Sequence, residues 1–586
     1  MSQDPNQPAR SSQPGGLDLR AGAKAVHRVE GRNKQALDTG RSRLIVAGVA
    51  FALAFSLIAS RLVELGLVPP AREPSLATTQ VGDRLGTGRA EIVDRNGIVL
   101  ATTLPMASLY ADTQQILAPA RAAKRLRTVL PELDEAKLTR KFASGKRFVW
   151  VKRKISPNKQ FEVNRLGIPG LHFQREMTRI YPMGSLTAHL LGYTDVDNRG
   201  LSGVEQAFDQ RLRESSEPLQ LSIDLSLQHL VTEELAAAMK EFQAIAATGL
   251  VLDANNGEVL ASVSLPSYNP YSPEDRSEDQ IDRNTLGVFE LGSVFKVLTI
   301  AIGLEEGVAR LTDAFDARKP LKIGGHTIND FHAKRKVLSV PEIFIYSSNI
   351  GTALIAEKIG GKRMRAYLQA LGMLDTLKET QLTTAQPIVP PRWQPVNVAT
   401  VSFGHGIAVT PLHLAAAAGS TINGGFYIPP RFTLAERDEE GFIEEGVRVF
   451  SRETSEAMRW LLRLNVQEGS GRRAAVEGYL VGGKTGTPEK LIRGRYAKNK
   501  RMANFVAAFP MDRPRFLVLI MLDEPKPTKD TYGYATAGWN AAPVTGRLVS
   551  RLAPLLGVEP AAKEAGRIAD QHLIPAAAGG KFLASR

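Results

Sequence analysis

The chain has 586 residues, too long for one ordinary hydrophobic core, so two or more folded domains are expected. A composition of 43% hydrophobic and 23% charged residues is that of a globular protein. The absence of cysteine excludes disulfides, thiol nucleophiles and cysteine-type metal sites. The nine histidines show no metal-binding spacing, so the sequence predicts no metal site.

The formal net charge is +14, an excess that favours nucleic acid, anionic lipid or an acidic substrate as the partner. The chain contains no helix-turn-helix, zinc-finger or aromatic RNA-binding motif. We therefore expect no nucleic acid, and the charge favours a membrane surface or an anionic substrate.

The first apolar segment is LIVAGVAFALAFSLIAS, residues 44–60, which lies between Arg43 and Arg61. Seventeen helical residues cover about 26 Å, and residues 62–63 lengthen the segment if Arg61 reaches the interface. We predict a transmembrane helix over residues 44–63. A cleaved signal peptide is disfavoured because some 43 residues come before it, and a core helix rarely has arginine at both ends.

The chain termini differ from the rest in composition. Residues 1–43 hold eight Lys/Arg against four acidic residues and are rich in Gly, Pro, Ser and Gln, which indicates a disordered basic tail. The positive-inside rule places this tail in the cytoplasm and everything after residue 61 outside. Residues 559–586 are interpreted as a loose C-terminal tail.

Residues 64–217 are predicted to form the first folded domain. The stretch is charged, with short apolar runs and many turn signals. Within it, GRAEIVDRNGIVLATT reads as a β-hairpin whose turn is Asn96-Gly97.

Residues 218–558 are predicted to form a second, larger domain. GLVLDANNGEVLASVS is another hairpin, around Asn256-Gly257. The continuous apolar run Phe516–Leu522 is typical of a strand buried on both faces. Because apolar helical segments lie between these strands, we expect one sheet covered by helices on both faces.

A candidate nucleophile lies in FELGSVFKVLTIAIGLEEGV, residues 289–308, which predicts a helix apolar on all sides and therefore buried. Ser293 is near its N-terminus, and Lys296 follows three positions later on the same face. Burial lowers the pKa of a lysine, so a neutral Lys296 amine can activate the Ser293 hydroxyl. The amide N–H groups of the helix N-terminus favour a developing oxyanion.

This Ser-x-x-Lys spacing alone is weak evidence, because residues 156–159 (SPNK) also fit it. That copy lies in a polar, proline-containing stretch and is predicted to be a loop. Residues 267–269 (SYN) fit a Ser-x-Asn pattern but come before the nucleophile helix and border Pro270.

Two further segments strengthen the hypothesis. Ser347–Asn349 (SSN) lies 54 residues after Ser293, between the apolar stretches EIFIY and IGTALIA. Residues 484–487 (KTGT) follow YLVGG and predict a strand at a sheet edge. The motifs S-x-x-K, S-D-N and K-T-G in this order are the signature of serine β-lactamases and penicillin-binding proteins, and in this chain the middle motif is S-S-N.

Outside the motifs, the chain resembles class B penicillin-binding proteins, most of all the septal cell-division transpeptidases (FtsI type). Residues 88–101 (GRAEIVDRNGIVLA) and 179–205 (RIYPMGSLTAHLLGYTDVDNRGLSGVE) resemble two pedestal motifs of that family. Residues 403–415 (FGHGIAVTPLHLA) resemble a segment between its second and third active-site motifs. The resemblance covers roughly residues 40–555. One departure is Leu291, where many relatives have proline before Gly-Ser.

The resemblance implies the β-lactamase/penicillin-binding transpeptidase fold, of class α/β (α+β), with an antiparallel sheet flanked by helices. An N-terminal pedestal (dimerisation-type) domain and one transmembrane helix complete it. Residues 64–217 then correspond to the pedestal and 218–558 to the transpeptidase domain. Arg89, Asp94 and Glu205 in the pedestal motifs are interpreted as residues that hold the domains together.

The resemblance also implies a mechanism without a cofactor. Ser293 attacks the penultimate carbonyl of a D-Ala-D-Ala stem peptide while Lys296 accepts its proton. The amides of Ser293 and Thr487 form the oxyanion hole. Ser347 passes a proton to the leaving D-Ala, and Lys484 tunes the electrostatic field.

Substrate binding is implied for four further positions. Asn349 binds the peptide backbone, Thr485 and Thr487 hold the terminal carboxylate, and Gly486 lines the same strand. An amine from a neighbouring stem peptide then resolves the acyl-enzyme, and β-lactams trap Ser293.

The implied setting is the division septum, with a single-pass anchor in the cytoplasmic (inner) membrane and the catalytic domain in the periplasm. Partners implied are peptidoglycan stem peptides, the lipid-linked precursor, and divisome membrane proteins such as a septal glycosyltransferase (FtsW type). A serine β-lactamase is disfavoured, because it usually has no membrane anchor or pedestal domain and the chain shows no separate glutamate motif of the class A kind. A non-enzymatic scaffold or β-lactam sensor is disfavoured because all the motif residues that the chemistry needs are present. The role of the basic segment 489–501 is open, between a solvated loop and a binding surface.

Overall fold

The computed structural model describes residues 45–60, 88–272, 278–435, 446–492 and 494–561. Residues 45–60 form a helix, α1. Among the described residues, no helix combines the length and the hydropathy that a membrane crossing requires. The ends of the predicted span, the tail 1–43 and most of the tail 559–586 lie outside the described residues.

Residues 85–586 belong to one compact unit, separate from the unit that contains α1. Its first part is built on a sheet of strand order β3-β2-β1-β5, in which β4 also pairs with β2. The elements of this part are β1 Ile92–Val93, β2 Val99–Ala111, α2 Pro119–Val129, α3 Glu135–Phe142, β3 Val149–Ile155, α4 Pro157–Arg165, β4 Leu171–Ile180, α5 Ala188–Leu191, α6 Gly203–Ala207, α7 Asp209–Glu214 and β5 Leu219–Gln220.

The second part is built on an antiparallel sheet of strand order β14-β16-β17-β6-β7, with β15 added to β16. Its elements are α8 Leu225–Phe242, β6 Ala246–Asp253, β7 Val259–Leu265, α9 Lys296–Glu305, β8 Ala314–Asp316, β9 Leu321–Ile323, β10 His326–Ile328, β11 Val337–Ser339, α10 Val340–Ile345, α11 Asn349–Ile359, α12 Gly361–Ala370, α13 Pro395–Val401, α14 Pro411–Gly419, β12 Phe426–Tyr427, β13 Val447–Arg448, α15 Arg452–Gln467, β14 Gly482–Gly486, β15 Glu489–Ile492, β16 Arg495–Phe509, β17 Phe516–Asp523 and α16 Ala541–Leu555.

Strand β17 explains why this sheet is covered on both faces. Leu517, Leu519 and Met521 belong to the core cluster that contains α9, α11 and α14, whereas Val518 and Ile520 belong to the cluster that contains α8 and α16. Side chains alternate between the two faces of a strand, so a strand buried on both faces must be apolar at every position. The predicted antiparallel sheet flanked by helices is confirmed.

The two predicted hairpins are also present. Strands β1 and β2 pair antiparallel around Asn96-Gly97, and β6 and β7 pair around Asn256-Gly257. Both glycines have positive φ, of 83° and 74°, a backbone conformation that an L side chain rarely adopts.

A buried ion network lies behind β1. The Glu205 carboxylate accepts hydrogen bonds from Arg89 Nε at 2.5 Å and from Arg179 Nε at 2.6 Å, and all three side chains are at most 1% exposed. Asp94 accepts from Ile98 N at 2.8 Å within the first hairpin and from Leu225 N, where α8 begins, at 3.1 Å. These contacts fit the structural interpretation of Arg89, Asp94 and Glu205.

We expect Glu205→Gln to lower the free energy of unfolding by about 3–5 kcal/mol, because it leaves two buried guanidinium groups without their shared carboxylate. Urea or thermal unfolding measures the loss. Glu135→Gln is the matched control: its ion pair with Arg127 is more than two-fifths exposed on both sides, so the change should cost at most about 1 kcal/mol. Equal effects of the two variants would contradict a structural role for the network.

Candidate active site

The Ser293 turn is held in an unusual backbone conformation at the entrance to α9. Gly292–Phe295 form a 3-10 turn, and α9 continues from Lys296 as a fully buried helix up to Gly303. Gly292 has φ of 59°, and a Cβ at that position would lie 2.8 Å from Pro488 Cδ. The turn also packs on a neighbouring backbone, since a Cβ at Gly404 would lie 2.3 Å from the Gly292 carbonyl oxygen. Ser293 is partly exposed.

The SSN motif is the joint between α10 and α11. Ser347 takes a positive φ of 57°, which is strained for a residue other than glycine. Ser348 caps α11 by accepting from Gly351 N at 2.9 Å, and its hydroxyl donates to Asp330 Oδ2 at 2.8 Å. Asn349 Nδ2 donates to the Asn329 carbonyl at 3.0 Å, which orients its Oδ1 toward the interior.

The KTG motif is on β14, the edge strand of the main sheet, as predicted. Gly486 allows close approach to the Ser293 turn, because a Cβ there would lie 2.5 Å from the Leu291 carbonyl oxygen. Asn465 on α15 donates to the Gly483 carbonyl at 2.7 Å and so fastens β14 to that helix. Lys484 is fully buried although it is on an edge strand.

The structure brings the three motifs together at the Ser347 hydroxyl. Lys296 Nζ lies 2.6 Å from the Ser347 carbonyl oxygen, 2.8 Å from Asn349 Oδ1 and 3.2 Å from Ser347 Oγ. Lys484 Nζ approaches the same Oγ from the other side, at 2.9 Å. The Ser293 hydroxyl makes no hydrogen bond to another described residue and is free to meet an incoming group.

The two amines are both made less basic by burial. Burial lowers the pKa of Lys296 well below its ordinary value, and the neighbouring Lys484 lowers it further, while Asp330 opposes the change. Burial alone lowers the pKa of Lys484 to about 7. We therefore expect a neutral Lys296 at neutral pH, because it experiences both effects.

The threonines of the KTGT segment are held by their own contacts. Thr485 Oγ1 is 2.6 Å from Ser470 Oγ. Thr487 Oγ1 accepts from Ala537 N at 3.0 Å, so its own proton stays available to an acceptor in the cleft. Thr485 is on β14 with Lys484 and Gly486, and Thr487 directly follows the end of that strand.

The prediction of a loop at residues 156–159 was wrong. Ser156 is the N-cap of α4, and its hydroxyl accepts from Lys159 N at 3.4 Å. Pro157 at the first helical position favours this helix start, which the polar composition concealed. Ser267 donates to the Ser185 carbonyl at 2.6 Å, a contact with the pedestal.

Asn504 on β16 is a residue that the motifs did not indicate. It is fully buried opposite Gly486, and its Nδ2 donates to the Leu291 carbonyl at 3.1 Å. Its Oδ1 has no hydrogen-bond partner among the described residues. A buried amide that holds the backbone two residues before Ser293 indicates a positioning role. The sequence signal for this role is that Asn504 is the one polar residue in the apolar run MANFVAAF.

We expect Asn504→Leu to slow acylation of Ser293 by penicillin about 10- to 100-fold, because a displaced turn misaligns the nucleophile. Stopped-flow kinetics separate the rate of acylation from the affinity for the antibiotic, and the loss should be in the rate. Asn504→Ser, which keeps a donor, should restore part of it. Normal acylation in a folded Asn504→Leu protein would show that the Leu291 carbonyl needs no such clamp.

Comparison with known proteins decides the family. Residues 247–546 match the model of the penicillin binding protein transpeptidase domain, and residues 85–224 match the penicillin-binding protein dimerisation domain. The chain belongs to the penicillin-binding protein transpeptidases.

Relatives of this penicillin-binding protein match over most of its length. The "Probable peptidoglycan D,D-transpeptidase FtsI" of Caulobacter vibrioides is 40% identical over 80% of this chain and 82% of its own. Peptidoglycan D,D-transpeptidase FtsI of Escherichia coli K12 is 29% identical over 90% of this chain and 93% of its own. The crystal structure of penicillin-binding protein 3 from Mycobacterium tuberculosis with aztreonam shares the fold, with a TM-score of 0.63, 24% identity, and coverage of 81% of this chain and 98% of that one.

These similarities confirm the predictions of family, fold and enzyme class. The protein is a serine-type D,D-transpeptidase that acts on peptidoglycan and is a target of β-lactams. The domain boundaries expected at residues 64, 218 and 558 stay predictions, as do the individual roles of the site residues.

Proposed function

We propose that this penicillin-binding protein cross-links stem peptides at the division septum, with Ser293 as its nucleophile and Lys296 as the base. The observation that carries the proposal is the convergence of two buried, weakly basic amines on the Ser347 hydroxyl, at 3.2 and 2.9 Å. Two lysines, a serine and an asparagine from three separate motifs supply the proton acceptor and donor that acyl transfer needs.

The hydrogen bonds of Lys296 indicate where the proton goes. A neutral amine has two N–H bonds and one lone pair, and the Ser347 carbonyl and Asn349 Oδ1 accept both N–H bonds. The lone pair is then free for the Ser293 hydroxyl proton as Ser293 Oγ bonds to the penultimate carbonyl carbon. Collapse of the tetrahedral intermediate breaks the peptide bond to the terminal D-Ala.

Ser347 is the proton donor to the leaving amine in this proposal. Lys484 donates to Ser347 Oγ, so the hydroxyl proton of Ser347 is directed away from Lys484 and into the cleft. Lys296 Nζ lies 3.2 Å from the same oxygen and can donate to it once it has taken the Ser293 proton. A proton taken by Lys296 can thus pass through Ser347 to the nitrogen of D-Ala. Lys484 is the positioning group that keeps the Ser347 hydroxyl in this orientation.

The remaining residues of the site bind substrate. The amides of Ser293 and Thr487 form the oxyanion hole, and the strand that contains Thr485 and Gly486 aligns the stem peptide. The Thr487 hydroxyl donates its proton in a hydrogen bond to the terminal carboxylate of the substrate. Asn349 binds the peptide backbone. The acyl-enzyme is resolved by the amine of a neighbouring stem peptide.

The setting that we propose is a single-pass anchor over residues 44–63, with the catalytic domain in the periplasm. The septal partner would be a glycosyltransferase of the FtsW type that polymerises the lipid-linked precursor. The charge asymmetry around the apolar segment supports this orientation. A reporter active only outside the cytoplasm, fused after Arg586, should be active, and a mature N-terminus near residue 61 would contradict the anchor.

The purified protein tests the transferase reaction directly. With a D-Ala-D-Ala donor peptide and an amine acceptor, mass spectrometry should detect a cross-linked dimer together with released D-Ala. Penicillin added first should suppress both products. Hydrolysed donor without dimer, or rapid turnover of penicillin, would favour a carboxypeptidase or a β-lactamase instead.

A further inference from the structure

Most of the net positive charge of this protein is in one part of the pedestal. Residues 102–180 hold sixteen Lys/Arg against six Asp/Glu, which amounts to +10 of the total +14. The active site needs few of these charges, because its two lysines are on other elements. A concentrated charge on a small region indicates an anionic ligand.

An aromatic patch lies on the sheet of the same region. Tyr110 in β2 is in register with Trp150 in β3 and with His172 in β4, so the three rings point to the same face. Phe148, just before β3, stacks on Tyr110 with ring centroids 4.6 Å apart. We call these four residues the aromatic patch.

The patch is on the face of the sheet that the pedestal helices leave open. Leu109, Val151 and Phe173 point to the opposite face, where they pack with residues of α2, α3 and α4. On the open face, His172 is exposed and Phe148 is 47% exposed. Apolar ring surface is therefore presented to solvent on a rigid, three-stranded support.

Cations surround the aromatic patch. The Arg153 guanidinium lies 4.4 Å above the Trp150 ring, and Lys141 Nζ donates to the Trp150 carbonyl at 2.9 Å. Lys146 and Arg147 are exposed and directly precede Phe148. Neither these two nor Lys141 pairs with a carboxylate among the described residues, so their charges are available to a ligand.

We propose that the aromatic patch and its cations bind the uncross-linked glycan strand of peptidoglycan, outside the catalytic cleft. The C–H faces of sugar rings pack flat on aromatic rings, and the stem peptides bring the carboxylates that the cations complement. Four partly exposed rings offer a few hundred Å² at most, below the roughly 1,000 Å² that a stable protein interface requires. The proposal rests on peptidoglycan as the substrate of this enzyme.

The test uses the full-length protein in a neutral detergent, with Ser293 first blocked by penicillin so that the cleft cannot hold the probe. Labelled, uncross-linked strands with complete stem peptides should bind by fluorescence anisotropy, and binding should weaken as salt rises. Neutral chitin oligosaccharide should bind more weakly and with little salt dependence. Acylation of unblocked protein by a fluorescent penicillin is measured separately. Loss of this acylation would mean that the proposed enzyme function fails, independently of strand binding.

Two sets of variants locate the site. Phe148→Ala combined with Trp150→Ala should weaken strand binding about tenfold or more, since it removes two of the four rings that supply the apolar contact area. Lys146→Glu combined with Arg147→Glu should weaken it and reduce the salt dependence without touching a core residue. Phe161→Ala is the matched control, because this exposed ring on α4 also has an arginine nearby, Arg165 at 5.9 Å, but is on the helical side.

Several results would overturn the proposal. The proposal is wrong if the folded, penicillin-blocked protein binds no glycan strand. It is also wrong if the variants of the aromatic patch bind strands as tightly as Phe161→Ala does. Vesicles of phosphatidylglycerol and phosphatidylethanolamine distinguish a lipid surface from a glycan site. If the variants lose vesicle binding but keep strand binding, the patch faces lipid and the proposal is wrong.

Discussion

Ser293→Ala should abolish acylation by β-lactams and leave the folded state almost unchanged. Acylation requires a nucleophilic oxygen at the start of α9, and no other described residue presents a hydroxyl on that turn. The Ser293 hydroxyl makes no hydrogen bond within the described chain, so its removal should change the free energy of unfolding by no more than about 0.5 kcal/mol.

Mass spectrometry of the protein after incubation with penicillin measures this result. The wild type should gain one penicilloyl group on the peptide that contains Ser293, and the variant should gain none while its thermal unfolding is unaltered. Ser156→Ala is the control, because Ser156 has the same Ser-x-x-Lys spacing but caps α4. An adduct on Ser156, or no adduct on folded wild type, would refute Ser293 as the nucleophile.

The order of the three motifs was predictable because each occupies a simple local structure. A helix apolar on all sides is recognisable from its composition, and so is a strand such as β17 that is apolar at every position. Turns such as Asn96-Gly97 are predictable because positive φ restricts the residue type. These features depend only on residues that are adjacent in the sequence, so one sequence is enough to predict them.

The contacts between the motifs were not predictable, since they depend on residues far apart in sequence. Asp330 lies between β10 and β11, and only the fold brings its carboxylate to Ser348 and to Ile350 N. Asn504 reaches Leu291 only because β16 pairs with β14. The positive φ of Ser347, 57°, was likewise not predictable, since serine has no preference for this conformation.

The pH dependence of acylation should reveal the base. Acylation needs the free amine of Lys296, so its rate rises as pH increases through the pKa of that group. Burial among apolar α9 neighbours and the nearby Lys484 place this pKa well below its ordinary value. The acid limb of the second-order rate should therefore lie far below the ordinary lysine pKa of about 10.4.

Two variants assign that limb to Lys296. Lys296→Arg should lower the acylation rate by about 10²- to 10⁴-fold, because a guanidinium stays protonated and cannot accept the Ser293 proton. Lys484→Met should slow the reaction and also move the acid limb to higher pH, since it removes a positive charge that lowers the pKa of Lys296. Lys296 is not the base if the acid limb of the pH–rate profile stays in place in Lys484→Met. The same conclusion follows if the acid limb of the wild type lies near the ordinary lysine pKa. The proton would then leave Ser293 through Ser347 and Lys484, which are the other ionisable and hydroxyl groups joined at the site.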